Sequence, residues 1–181
     1  MSTLPGKVSR CENDPKWTMQ FVSDGCRELT GYEPADLTGN RRVAYGDLIV
    51  PADRAGVWDA VQTAIARRGS FEIRYRITTA SGGEKWVWER GLGIFGAGGR
   101  LERLEGFITD VTAAVCAEQE LQTSENRLAL VFNASRDMMC LVKVDPGPAF
   151  RVVSVNAEYV RTVQRAGFAL TAADLVGPLL D

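Results

Sequence analysis

The most limiting feature of this 181-residue chain is a residue it lacks, for it contains no histidine. Without imidazole there is no Ser/His or Cys/His nucleophile pair, no histidine metal ligand, no proximal histidine for a haem and no phosphoaccepting histidine. Cysteine is sparse: Cys11, Cys26, Cys116 and Cys140 stand far apart without CxxC spacing. With the polar N-terminus MSTLPGKVSRCENDPKW, which lacks the pattern of a secretory signal, this fits a reduced, cytoplasmic compartment. Long apolar runs are missing too. LALVF at 128–132 falls far below the length that spans a bilayer, so no membrane contact is expected of this segment. Charge of one sign is not in excess: 21 Lys and Arg face 23 Asp and Glu, for a net charge of -2. That balance gives no general electrostatic reason to bind nucleic acid or an acidic membrane surface.

What is present is enough apolar material, 45% of residues, to bury one full domain with an appendage. WTMQFVS, Trp17 to Ser23, reads as a strand after a short polar lead. DGCRELTGY reads as a short helix stopped at Gly31, and PADLTG, Pro34 to Gly39, as a second with proline at its permitted first position. Residues 40–50 read as a loop. Pro51 to Gly69 carries the clearest helical pattern, with Val57, Trp58, Val61, Ala64 and Ile65 in one stripe. Asp53 in its first turn and Arg67 and Arg68 in its last match the helix dipole.

From Phe71 the period changes to two. Phe71, Ile73, Tyr75 and Ile77 share one face, SGG at 81–83 turns the chain, EKWVWERGLGIF returns, GAGG at 96–99 turns again and RLERLEGFITDV runs back. A three-stranded antiparallel meander is expected. Gly91, Gly93 and Gly96 match the dinucleotide-binding spacing, but a phosphate cradle needs them between a strand and a helix, and here another strand follows. Those glycines are read as serving a strand end and a hairpin.

From Val111 onward VTAAVCAEQELQTSENRLALVF, free of glycine and proline, reads as a long helix capped by Asp110 or Thr112. Ala114, Ala117, Leu121, Ser124, Leu128 and Val131 alternate in steps of three and four. They form either a coiled-coil seam or the face of one helix laid on its own sheet. Beyond Ser135, MMCLVKVD and FRVVSVNAEYV form a second strand pair broken by DPGPA. ADLVG at 173–177 then echoes ADLTG at 35–39, the mark of an incomplete internal repeat.

The ordered set W…FVSD…LTGY…DL…PADR…YRI…G…KWVWE…G…EGFITDVT resembles a PAS domain, over roughly Lys7 to Thr112. The resemblance implies an α+β fold: a five-stranded antiparallel sheet of order 2-1-5-4-3, with short helices and one longer helix, 52–68, on one face. A long connecting helix follows. The domains are then 1–112, a PAS unit; 113–135, a coiled-coil-like connecting helix; and 136–181, the start of a second, truncated PAS domain. A pocket is implied between sheet and helices, and strand alternation puts Ile73, Tyr75, Ile77, Val87, Glu89, Leu104 and Ile108 on its wall. Glu89, a carboxylate on that wall, either recognises a ligand or pairs with Arg74 or Arg76 near the sheet rim. Cys26 reads as a small buried residue.

Trp86 and Trp88 would face the other side. They are covered there by the chain's own segments or, with Leu121, Leu128 and Val131 of the connecting helix, form a homodimer surface. No ligand is named by the residues. Flavin photosensors resembling this fold carry an Asn-Cys-Arg run where this chain has Gly39-Asn40-Arg41-Arg42, and haem-bearing relatives use a histidine on the long helix; both cofactors are argued against.

The expected function is a cytoplasmic sensory or relay module, without catalytic activity, of a larger protein such as a sensor kinase or diguanylate cyclase. Asp110, Val111 and Thr112 would pass the signal to the helix, and an output domain would lie elsewhere in the full-length protein. The alternative is a ligand-free dimerisation or spacer module. The truncated repeat is expected to be partly disordered or paired with another chain.

Overall fold

The computed structural model describes residues 6–144 and 150–166. Strands β1 (Lys7–Cys11) and β2 (Met19–Val22) open the chain, followed by α1 (Cys26–Thr30), α2 (Pro34–Leu37), α3 (Tyr45–Leu48) and α4 (Arg54–Ala66). The meander is β3 (Ser70–Thr78), β4 (Glu84–Phe95) and β5 (Leu101–Asp110), and β5 leads into α5 (Thr112–Ala134). The five strands form one antiparallel sheet in the order β2-β1-β5-β4-β3. This is the expected α+β architecture.

Local chemistry explains most boundaries. Gly31 ends α1 at φ 79°, and its N–H returns to the Arg27 carbonyl. Pro34 opens α2, where Glu33 and Asp36 form a reciprocal capping box. Val57 and Val61 of α4 are buried, and Trp58, Ala64 and Ile65 pack beside them. In the sheet, Tyr75, Ile77, Val87, Leu104 and Ile108 are each no more than 3% exposed, so period-two alternation here does report the buried face.

Three expectations are corrected. The polar lead contains β1, whose alternation is inverted: Lys7, Ser9 and Cys11 point inward, and Val8 is 51% exposed. The loop at 40–50 contains α3, which brings Tyr45 into the core. Asp53 caps no N–H of α4. It reaches across to β3, where its carboxylate accepts bonds from the Arg76 backbone at 2.9 Å and from its guanidinium at 2.7 and 3.0 Å. That fixes the start of α4 to the sheet and outweighs the small gain from the dipole.

The chain divides into two units, Met1–Cys116 and Ala117–Asp181. In the second, β6 (Cys140–Val144) pairs antiparallel with β7 (Phe150–Val155), and α6 (Ala157–Arg165) follows. Asn156 caps α6 by accepting the Tyr159 N–H at 3.0 Å. The turn DPGPA and the ADLVG echo lie outside the described residues.

Candidate functional site

Register places the site. Lys7 of β1 lies opposite Ile108 of β5, Ile108 opposite Glu89 of β4, and Glu89 opposite Ile73 of β3. All four therefore share one row on the inner face, two of them ionisable. The next row holds Ser9, Gly106, Gly91 and Phe71. A Cβ at Gly91 would collide with the Phe71 ring, so this glycine makes room for an aromatic side chain. Lying inside β4, it belongs to the sheet, and the dinucleotide-like spacing has no helix behind it.

Beneath these rows lies a cavity lined by Ser9, Cys11, Tyr45, Tyr75, Glu89 and Leu104, among others. The space open to the centre of a water molecule is about 20 Å³, against roughly 10–15 Å³ needed for one water. Tyr75 donates to Glu89 Oε2 at 2.5 Å, and the Tyr45 hydroxyl lies 3.0 Å from that of Tyr75. With the Tyr75 proton committed to the carboxylate, its oxygen is left to accept from Tyr45.

Lys7 is fully buried, with Nζ 3.9 Å from the centre of the Tyr45 ring and no hydrogen-bond acceptor. Burial pulls its pKa from the usual 10.5 down to about 8, against the opposing pull of the Glu89 charge. Burial pushes Glu89 up, partly offset by the Tyr75 bond and the charge of Lys7. The Cys11 thiol is pushed up to about 12 by burial, with the Glu89 charge adding to it. That thiol is held protonated and unreactive. The arrangement can hold a charge on Lys7 and a proton along Tyr45, Tyr75 and Glu89.

The expected wall residues divide into two groups. Tyr75, Glu89 and Leu104 line the cavity. Ile77, Val87 and Ile108 share the inner face but are sealed in the core at 0% exposure, and Ile73 borders shallow grooves beside α4. Glu89 does not pair with Arg74 or Arg76. Arg74 lies opposite Trp88 and Arg76 opposite Trp86, one pleat away from the Glu89 row. Arg76 is taken by Asp53. The sequence reading missed Lys7, Ser9 and Tyr45. The alternation of Lys7, Ser9 and Cys11 was the available signal for β1, hidden because its inward residues are not apolar.

Trp86 and Trp88 are half-buried on the outer face. The Arg76 guanidinium sits 5.4 Å from the Trp86 ring, and the Trp88 indole donates to Glu72 at 3.0 Å. Cys26 is buried and its thiol donates to the Tyr32 carbonyl.

At the exit of β5, Val111 N donates to the Trp86 carbonyl at 2.9 Å, and Trp86 N donates to Thr112 Oγ1 at 3.0 Å. Asp110 accepts from the Thr112 N–H at 2.9 Å and its hydroxyl at 2.6 Å, and pairs with Lys85 at 3.0 Å. The first turn of α5 is thus bonded to β4. On α5, within the second unit, Leu121, Leu128 and Val131 are 62, 67 and 67% exposed. Among the described residues no three His, Cys, Asp or Glu come together to hold a metal ion, and no helix is long and apolar enough to cross a membrane.

Residues 19–108 match the family model described as the PAS fold. A methyl sulfide methyltransferase-associated sensor of Methanosarcina acetivorans is 34% identical over 157 residues, 82% of this chain and 15% of the relative. Sensor protein FixL of Bradyrhizobium diazoefficiens is 26% identical over 130 residues, 70% of this chain and 24% of the relative. The chain thus spans under a quarter of the length of either. Among solved structures, a sensory box histidine kinase/response regulator from Burkholderia thailandensis superposes with a TM-score of 0.57 at 27% identity, over 68% of this chain and 90% of that one. The N-terminal domain of a diguanylate cyclase with PAS/PAC sensor from Marinobacter aquaeolei shares the fold, with a TM-score of 0.51 at 15% identity over 60% of this chain and 97% of that one.

Proposed function

Residues 19–108 form a PAS domain of the PAS fold family, and on that premise we propose that this chain is a cytoplasmic sensory and relay module of a larger signalling protein, of sensor kinase or diguanylate cyclase type. The module performs no catalysis of its own and passes a change at its inner cavity to α5. One observation carries this reading: Val111 and Thr112 are hydrogen-bonded to Trp86, on the strand that bears Val87 and Glu89 of the inner face. A shift of β4 or β5 therefore strains the first turn of α5 directly, provided that the two states make different contacts there.

Homodimerisation through Trp86 and Trp88, and through Leu121, Leu128 and Val131, completes the proposal. It is supported by the exposure of those α5 side chains and by the partial cover over the two indoles. Residues 136–181, after the connecting helix, are the opening of a second PAS domain, and the support for this is a shared bonding pattern. Val8 N donates to Ser23 Oγ and Ser23 N to the Val8 carbonyl, both at 2.9 Å. Met139 N donates to Asn156 Oδ1 and Asn156 N to the Met139 carbonyl, both at 3.0 Å.

The competing reading, a ligand-free dimerisation or spacer module, draws on the cavity, which in this conformation has room for one or two waters. Thr112→Val separates the two. It removes the Oγ1 acceptor that holds Trp86 N, so a relay loses signal transmission in the full-length protein while the domain melts within a few degrees of the parent. A spacer keeps its output. Unchanged signalling in Thr112→Val would refute the relay.

A further inference from the structure

An ammonium group with no hydrogen-bond acceptor, buried to 0% exposure, is an anomaly, because such groups are costly unless paired. Its surroundings give only partial compensation. The Tyr45 ring offers its negative face at 3.9 Å. Glu89 is one strand further on, across Ile108, about two strand spacings or ~10 Å between backbones.

We propose that the Lys7 amine is a proton site that sets how tightly β1 closes on β5, the ammonium form loosening that pairing and the neutral amine tightening it. The inference deepens the relay reading and rests on it for its consequence, since Ile108, which Lys7 faces, lies two residues before Asp110 and the clamp on α5.

The groups that face Lys7 are few. They are Glu89 on β4, Tyr45 on α3, Cys11 on β1 and Cys26 on α1, with Tyr75 on β3 bonded to both Tyr45 and Glu89, while β5 presents the apolar Ile108. Burial holds both tyrosines well above their usual range, and pushes both thiols up, Cys11 to about 12. Glu105, which also borders the cavity, is bonded to Arg10 and Arg103. Asp110 is held by Lys85 and Thr112. Burial also raises Glu89 from the usual carboxylate range, while Lys7 is the group brought down to about 8.

The sign follows from linkage. The folded-state value of about 8 lies below the 10.5 of an ordinary lysine. Between those values the unfolded or opened chain binds more protons than the closed one, so closure strengthens as pH rises through that window. Below about pH 8 both forms are protonated, and the cost of the buried charge is borne in full. One proton sets the limit at about tenfold in the closing equilibrium per pH unit.

NMR titration of the chain, following the Lys7 Cε resonance together with the amides of Val8, Phe107 and Ile108, tests this. A common midpoint near pH 8 is expected at the side chain and at the strand amides. Lys7→Met should abolish the strand titration. Glu89→Gln, which withdraws the favourable charge, should move the midpoint down and supplies the test should Lys7→Met fail to fold. A Lys7 midpoint near 10.5, a Glu89→Gln midpoint that does not fall, or β5 amides that still titrate near pH 8 in Lys7→Met would overturn the proposal. The amides of Ala113 to Val115 report separately. If β5 titrates and they stay silent, the proton site stands and the relay reading falls.

Discussion

The two strand openings of this chain, β1–β2–α1 and β6–β7–α6, share one clamp and differ in what covers them. In both, the residue that follows the second strand exchanges two hydrogen bonds with a residue at the start of the first, Ser23 with Val8 and Asn156 with Met139. The inward positions of β1 are Lys7, Ser9 and Cys11, all buried, and β1 is paired on its far side by β5. Equivalent spacing from the clamp picks out Met138, Cys140 and Val142 in the second unit. Met138 is 49% and Val142 48% exposed, and Cys140 is exposed. The polar inward positions of β1 are covered and the equivalent positions beside and on β6 are not, although Ser154 and Val155 of β7 are buried. A local clamp can thus form by itself, whereas burial depends on the remaining strands of a domain.

Because β5 also holds β1, the clamps should differ in importance. Asn156 is fully buried. Its side chain accepts from Met139 N and Tyr159 N and donates to the Phe132 and Asp137 carbonyls. At about 1 kcal/mol for each bond, Asn156→Ala should cost the second unit about 4 kcal/mol. Hydrogen exchange should show protection lost over 139–165 and retained over 7–110; an intact second unit in that variant would break the comparison. Ser23→Ala removes one acceptor, for Val8 N, and should lower the unfolding free energy of the first unit by about 1 kcal/mol in urea titration. A loss as large as that for Asn156→Ala would mean that β5 does not share the task. The smallest effect belongs to Val142→Thr. On an exposed face it should change stability by less than about 0.5 kcal/mol in the same assay, and a larger cost would reveal cover over β6.

The same contrast explains what could be read from the residues alone. The meander was legible because Phe71, Tyr75 and Ile77 alternate with exposed or half-buried partners, and glycine-rich turns separate its strands. The stripe of α4 was legible through Val57 and Val61. β1 was not, because hydrophobic alternation cannot mark a strand whose inner face is Lys, Ser and Cys. Nor was α3, a single turn too short for any helical period. On the site, parity puts Tyr75, Glu89 and Leu104 on the inner face, and in the structure they line the cavity there. That Tyr75 itself bonds Glu89 was missed because charge and nearness in sequence suggested Arg74 and Arg76, which stand one pleat out of phase. Lys7, 82 positions from Glu89, joins its row only through the β1–β5 and β5–β4 pairings on either side of Ile108.

The reach of Asp53 onto β3 has a further effect, on how copies of the molecule can meet. β3 and β2 are the outer strands of the five-stranded sheet, where unpaired backbone groups would invite another chain to add itself. Asp53 fills the Arg76 N–H, Val50 N takes the Arg76 carbonyl, and Thr30 accepts from Ala80 N just past the end of β3. On the opposite margin Gly39 N occupies the Met19 carbonyl. With these positions spoken for, strand addition is blocked at both margins of the first unit where those bonds lie, and association is steered toward side-chain surfaces that can be remodelled without unzipping the fold.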